Sequence, residues 1–205
     1  MARADDRSTQ PASRVFAVPV AGRRLRRTAR REQILAAATR AFARNGFAAT
    51  SLDDVATEAS VSKVILYRHF ASKADLYRAV LDRACARLVA AVGAGDYTPE
   101  SVDALIGTAV EDPDGFRLLF QHAAREPEFR QQMALFREHM TTVAYQQLAE
   151  QIPDPSWARW AAQLTPMVVV EAITAWLDVG QPNREEVADR IRQIIAGVIL
   201  AAQPH

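Results

Sequence analysis

Four side chains with long hydrogen-bond donors, Lys63, Tyr67, His69 and Lys73, lie within one eleven-residue stretch, near three hydroxyl residues, Thr50, Ser62 and Ser72, that stand where helices begin. A helix start presents free backbone N–H groups and the positive end of the helix dipole, so each is a place for a phosphate. Ammonium, phenol and imidazole groups on the same surface extend that capacity. The chemistry on offer is grip on a polyanion rather than bond-making. Lys63 and Lys73 are the only two lysines in 205 residues, the remaining positive charge being arginine.

The surrounding stretch, SLDDVATEASVSKVILYRHFASKADLY from Ser51 to Tyr77, supplies the elements that position these groups. Ile34, Leu35, Ala38 and Phe42 repeat at helical spacing up to Asn45-Gly46, a stop signal. Thr50 with Asp53, or Ser51 with Asp54, caps a short second helix that buries Leu52, Val55 and Ala56. Ser62 caps a third, with Leu66 and Phe70 facing inward. Ser72 with Asp75 opens a fourth, which runs to about Val92 and is ended by Gly93 and Gly95.

Thr50 to Tyr77 closely resembles the DNA-binding domain of the tetracycline-repressor (TetR) family of bacterial regulators, whose wording near the third helix is A-G-V-S-K-G-T-L-Y-x-H-F-x-S-K. The likeness spans roughly residues 28–78, and Leu66-Tyr67, His69-Phe70 and Ser72-Lys73 agree in spacing together. It implies that Thr50, Ser62, Lys63, Tyr67, His69 and Lys73 lie mainly on the DNA backbone. Two departures stand out. Ser60 replaces the glycine common in the turn, which is costly where the backbone needs a positive φ. Val64 and Ile65 replace small or hydroxylated residues that face base edges, and they offer thymine methyls apolar contact in place of hydrogen bonds. The run Arg23, Arg24, Arg26, Arg27, Arg30 and Arg31 resembles the basic arm that precedes the first helix in some members. Its two readings, with Arg27 and Arg30 against phosphate or minor groove, or a solvated basic tail, weigh about evenly.

Charge divides along the chain. Residues 1–78 hold 15 Lys+Arg against 7 Asp+Glu, and residues 79–205 hold 10 against 17. A basic front and acidic back suit a part that meets a polyanion and a part kept off it. With one cysteine, Cys85, no intrachain disulfide forms, and a small apolar packing role is the plainer reading. The N-terminal apolar run is short and broken by Pro19, and Met167–Leu177 is too short to span a bilayer, so a soluble, cytoplasmic protein with no membrane partner is expected. Residues 1–22 read as a disordered tail, 23–78 as arm and DNA-binding domain, and 79–205 as a second helical domain.

Beyond Gly95 the periodicity predicts helices at about 99–110, 113–124, 127–151, 155–178 and 183–202, the last opened by an Asn183–Glu186 capping box. The fold is all-α, about nine helices. Neither a metal-ligand spacing nor a nucleophile context emerges, so no cofactor, metal or catalytic residue is expected; His122 and His139 read as ordinary histidines. The resemblance implies that the second domain binds a small molecule and forms a homodimer. Phe116, Phe120, Phe136 and Met140 are candidates to line the ligand site. Glu171, a lone carboxylate among apolar residues, faces ligand, interface or solvent. Trp157 and Trp160, one turn apart, belong to core or interface. Val169, Ile173 and Trp176 with Ile191, Ile194, Ile195 and Val198 form the expected dimer stripe. Together these describe a homodimeric repressor released from a palindromic double-stranded DNA operator by a small hydrophobic molecule; the alternative is a ligand-independent DNA-binding dimer or adaptor.

Overall fold

The computed structural model describes residues 20–93 and 99–204, and every regular element among them is helical. Nine α-helices follow in order: α1 (Val20–Ala49), α2 (Leu52–Glu58), α3 (Lys63–Tyr67), α4 (Lys73–Val92), α5 (Pro99–Glu111), α6 (Pro113–Arg117), α7 (Arg130–Leu148), α8 (Pro155–Asp178) and α9 (Val187–Ala201). A π-helical turn at Leu118–His122 and 3₁₀ turns at Ala123–Arg125 and Pro127–Phe129 replace the plain helix expected through residue 124 and the early start expected at 127.

Two boundaries differ from expectation for local reasons, and one alternative left open by the sequence is resolved. The tail expected over 1–22 lies outside the described residues up to 19, while 20–22 are helical, so Arg26, Arg27, Arg30 and Arg31 ride on α1 itself. Arginine is a good helix former and no Gly or Pro interrupts residues 23–44, so nothing stops the helix extending backwards. Of the two alternatives for the second cap, Ser51 with Asp54 forms the complete capping box. The box expected at Asn183–Glu186 does not form; Asn183 takes a left-handed φ of 45° and its carbonyl accepts from the Glu186 N–H, so α9 starts four residues late.

The first three helices make a tight unit. Gly46, with φ 75° and ψ 170°, breaks α1 where the stop signal lies. Gln33 donates to the Ala59 carbonyl at 2.8 Å, and Glu58 accepts from Arg40 and Arg44 at 2.8 and 2.7 Å, so the end of α2 is tied to α1 at three points. Between α2 and α3 the Val61 N–H reaches the Ala56 carbonyl and the Ser60 N–H reaches Thr57, the paired bonds of a Schellman turn. That turn requires a left-handed residue after the cap, and Ser60 occupies it with φ 51°.

The remaining helices pack as a bundle: α4 on α1 and α5, α7 on α8, and α8 and α5 on α9. One hydrophobic core runs from Ile34, Phe42 and Leu66 through Leu76, Tyr77 and Leu81 to Leu118, Phe129 and Ile173 without a break. The division expected after residue 78 therefore falls inside α4, which serves both halves. A smaller core of Ala144, Leu148, Ile152, Ala158 and Ala162 with Val198 closes the far end. By length and composition α8 is apolar enough to cross a membrane, contrary to the judgement from Met167–Leu177 alone, yet Ala158, Ala161, Val170, Ile173 and Leu177 are buried inside the bundle.

The turn provides a test. Ser60→Val should lower the unfolding free energy by about 1–2 kcal/mol, because a β-branched side chain tolerates left-handed backbone poorly. Ser60→Gly should stay within about 0.5 kcal/mol of the parent, relief of strain offsetting the greater freedom of an unfolded glycine. Urea titrations compare the two, and equal stabilities would show that the turn stores no strain.

Candidate nucleic-acid interface and inner cavity

α3 is only five residues long, and its orientation comes from what it buries. Leu66 and Phe70 are in the core, Val61 packs against it, and the Ser62 hydroxyl oxygen accepts from the Ile65 N–H to start the helix. Lys63, Val64, Tyr67 and Arg68 are left facing out, Val64 at 63% exposure and Tyr67 at 49%. Val64 and Ile65, paired in sequence as possible base readers, separate here. Ile65 is half-buried against the core, so Val64 is the apolar residue presented outward.

The expected backbone contacts divide in the same way. Ser62, Lys63 and Tyr67 are exposed, as are Arg26, Arg27 and Arg30 of α1. The Lys63 ammonium sits 2.9 Å from the Asp53 carboxylate, a fully exposed pair that raises the lysine pKa and is open to exchange for a phosphate. Thr50, expected on DNA, is 1% exposed: its hydroxyl donates inward to the Gly46 carbonyl at 2.7 Å, and Ser51 has taken the capping role. Lys73 also turns inward. Its ammonium donates to the Phe47 and Ala48 carbonyls at 2.8 and 3.2 Å and lies 4.5 Å above the Phe47 ring, neutralising the carbonyl end of α1, whose last turn has no basic residue of its own. His69 is half-buried beside Phe70, and its pKa is lowered, first by burial and then by Arg27, Arg31 and Arg30 of α1. The arginine helix and α3 thus converge on one cationic face, while Arg31 stacks over Phe70 at 5.0 Å.

The second candidate site is a partly open cavity of about 340 Å³ bordered by α4, α5, α7, α8 and α9. Phe120, Phe136 and Met140 line it as expected. Phe116 does not; it is buried one layer behind, its ring 4.8 Å from that of Phe120. Glu171 is exposed on the outer face of α8 and takes no part, because its neighbours Val170 and Ile173 carry the buried side of that helix. Sequence reasoning missed the polar lining, Ser101, His139, Gln147, Gln151, Thr165 and Arg192, together with Leu88, Val89 and Val92 from α4. A signal existed in Phe136, Met140, Val143 and Gln147, spaced three and four apart along α7. Pro166 also lines the wall, at the one place where α8 lacks an interior N–H.

The expected dimer stripe is mostly interior to the chain itself. Val169, Ile173, Trp176, Ile191 and Val198 are buried, Trp176 donating to the Pro182 carbonyl at 2.7 Å, and Ile195 is half-buried on the cavity wall. Ile194 alone is exposed, at 38%. The most apolar stripe of each helix is drawn to its own core, and the open faces carry a mixed set: Trp157, Trp160 and Met167 on α8, and Ile194 and Leu200 on α9. Cys85 is half-buried, its thiol pushed up to about 12 by burial and then by Asp82, which makes it a packing residue.

A helical pair with an outward recognition helix, set on a cationic surface and backed by a cavity-bearing bundle, is the form of a helix-turn-helix regulator. The model of the bacterial regulatory proteins, tetR family, matches residues 34–80. Over 171 residues the chain is 32% identical to the HTH-type transcriptional activator FasR of Mycolicibacterium smegmatis, covering 78% of each. It is 48% identical over 52 residues to the HTH-type transcriptional regulator TtgR of Pseudomonas putida, 25% of each. The crystal structure of a TetR-like transcriptional regulator from Rhodococcus sp. RHA1 shares the fold at a TM-score of 0.70 with 21% identity, covering 81% of this chain and 93% of that one. The chain belongs to the tetR family and is a DNA-binding transcriptional regulator.

Two outcomes follow for the DNA face. Val64→Ala should relax base preference at one position by about 1–3 kcal/mol, whereas Ile65→Ala should act through stability; selection of bound sequences from a random pool separates them, and an unchanged motif for Val64→Ala would remove that residue from readout. The second concerns pH. Phosphates approaching His69 oppose the arginine repulsion and favour its protonated form, so DNA binding takes up a proton and should tighten severalfold as pH falls from 8 to 6. For folding the sign is reversed: the free native state holds this proton less well than the unfolded chain, so acid below about pH 6.5 destabilises it. Anisotropy titrations should show the binding effect vanish in His69→Gln.

Proposed function

We propose that the chain acts in the cytoplasm as a homodimeric regulator, not an enzyme, whose affinity for a palindromic operator is changed by a small, largely apolar molecule in the cavity. The observation that supports this reading most directly is the course of α4. Its first turns bury Leu76 and Tyr77 against the DNA-binding helices, and its last turns put Leu88, Val89 and Val92 on the cavity wall. A molecule between these turns and α7 displaces the far end of the helix that carries the recognition unit. Such a ligand acts only through the difference in its affinity for the two spacings of the recognition helices. A coupling of about 1–3 kcal/mol changes operator affinity 5- to 150-fold.

Lys63, Tyr67, Arg27 and Arg30 are the residues proposed to hold phosphates. Repression by covering promoter DNA is the proposed sign, and a shorter match, 31% identical over 93 residues, is named a repressor in Streptomyces coelicolor. A relative aligned over 171 residues is named an activator, so a transcription assay on the native promoter is the deciding measurement; more transcript on adding the protein would reverse the sign.

The dimer is proposed to pair the open faces of α8 and α9, through Trp157, Trp160, Met167, Ile194 and Leu200, in a four-helix contact. Ile194→Glu with Leu200→Glu should give folded monomers that bind the operator at least tenfold more weakly, while Ile191→Glu should unfold the chain because Ile191 is 1% exposed. Sedimentation reads the first and circular dichroism the second; a dimeric double variant would place the interface elsewhere. For the switch, Met140→Trp should fill the cavity without disturbing the dimer and make operator affinity insensitive to ligand. A variant that still responds fully would place the effector site outside this cavity.

A further inference from the structure

α1 begins at Val20, and Ile34 is its first buried residue among those described. The helical stretch 20–33 carries arginine at 23, 24, 26, 27, 30 and 31 against one acid, Glu32. That acid is turned toward α4, where Arg83 pairs with it at 3.0 Å. Residues 26–33 are all exposed. Among the described residues no carboxylate pairs with Arg26, Arg27, Arg30 or Arg31. Arg26 with Arg30, and Arg27 with Arg31, stand one helical turn apart, where like charges repel. Arginines toward a helix start also oppose its dipole. A polyanion lying along such a helix relieves both penalties.

Two contacts fix where this helix runs. Gln33 donates to the Ala59 carbonyl, just before α3, and Arg31 lies over the Phe70 ring, just after it. The arginine stretch therefore passes alongside the recognition unit. A helix with its side chains is about 10–12 Å across, and a minor groove about 6 Å wide does not admit it. A major groove about 12 Å wide takes one helix, and the outward α3 is that one. The surface left for α1 is the phosphate ridge beside the groove.

We propose that residues 20–31 bind duplex DNA as a rigid arginine helix laid along the phosphates that flank the operator half-site, reading no bases. The proposal extends, and rests on, the phosphate role given above to Arg27 and Arg30. At a salt slope of about 0.9 per phosphate, Arg26, Arg27 and Arg30 contribute about 2.7 for one protomer and about 5 for a dimer.

The test is fluorescence anisotropy of the full-length protein on two labelled duplexes across a range of salt. One carries an operator selected from a random pool between long flanks, and the other is unrelated in sequence. The triple variant Arg26→Gln, Arg27→Gln and Arg30→Gln keeps good helix formers. It should weaken both duplexes alike and make the salt slope shallower by about 5, or by about 2.7 if one protomer binds. Thr28→Pro keeps every charge but cuts the helix, and it should weaken both duplexes at least about fivefold, with an unchanged thermal midpoint by circular dichroism. Changing the flanks from A·T to G·C alters the minor groove but not the phosphates, so affinity should stay within about twofold. An unchanged slope in the triple variant would remove the arginines from the interface. Full affinity in Thr28→Pro would show that an extended arm suffices, and an A·T preference lost in the triple variant would place the segment in the minor groove. Lys63→Ala on α3 separates these from a failure of the wider phosphate reading, in which neither it nor the triple variant would move the slope.

Discussion

The packing around Tyr77 holds the two halves of the molecule in one orientation. Its ring, fully buried, meets Phe42 at 4.9 Å nearly edge-on, Phe47 at 4.9 Å and Phe129 at 4.5 Å. Phe42 and Phe47 come from α1, Tyr77 from α4, and Phe129 from the turn before α7, so one aromatic cluster joins the DNA-binding unit to the helix that lines the cavity. Edge-to-face and tilted aromatic pairs add about 0.5–1.5 kcal/mol each beyond the area they bury. Among the described residues the Tyr77 hydroxyl has no hydrogen-bond partner in its buried site, and burial raises its pKa far above the usual phenol range. Leaving such a group unmatched costs about 1–3 kcal/mol, which the three ring contacts offset. Lys73 adds to the same joint by capping the carbonyls of Phe47 and Ala48.

That joint explains why two lysine positions of similar appearance have different surroundings. Lys63 lies on the open face of α3, paired with an exposed Asp53 in an ion pair that contributes little in water. Lys73 lies where the last turn of α1 leaves carbonyls without donors, and a nearby ammonium is drawn there. The cationic face is consequently made of Lys63 and of arginines carried forward on the long first helix, with His69 in their field. Acidic partners hold the scaffold together away from that face: Glu58 to Arg40 and Arg44, Asp112 to Arg83 and Arg87, and Asp178 to Arg117. Charge is thus divided between an arginine-rich first helix and a bundle in which Arg83, Arg87, Arg117, Arg190 and Arg192 are paired with carboxylates.

In the bundle, a cavity persists because its walls come from five helices whose apolar residues cannot all reach one another. The π-helical turn at Leu118–His122 shifts the register of the chain just where Phe120 faces the space, and Pro166 interrupts the bonding of α8 on the opposite wall. Irregular backbone of this kind clusters at functional positions, and both irregularities here border the cavity.

The family resemblance marked Ser60 as standing where glycine is common; local pattern alone was enough for the all-helical fold, the positions of most helix starts, the stop at Gly46 and the outward set of Ser62, Lys63 and Tyr67. Each depends on neighbours within a turn or two, through caps, φ preferences and helical period, and these act the same way in any context. Tertiary structure decided the rest. Thr50 and Lys73 turned inward because carbonyls from a different helix end lay beside them. Ile65 and Val64 parted because only one side of a five-residue helix meets the core. The stripes on α8 and α9 went to the chain's own interior, leaving Trp157, Met167 and Leu200 outside, and Glu171 with them. Hydrophobic period locates an apolar face but carries no label for the surface it will meet, since burial against one's own chain and burial against a partner lower the free energy by the same physics. Which face is which is settled only when all the helices have packed.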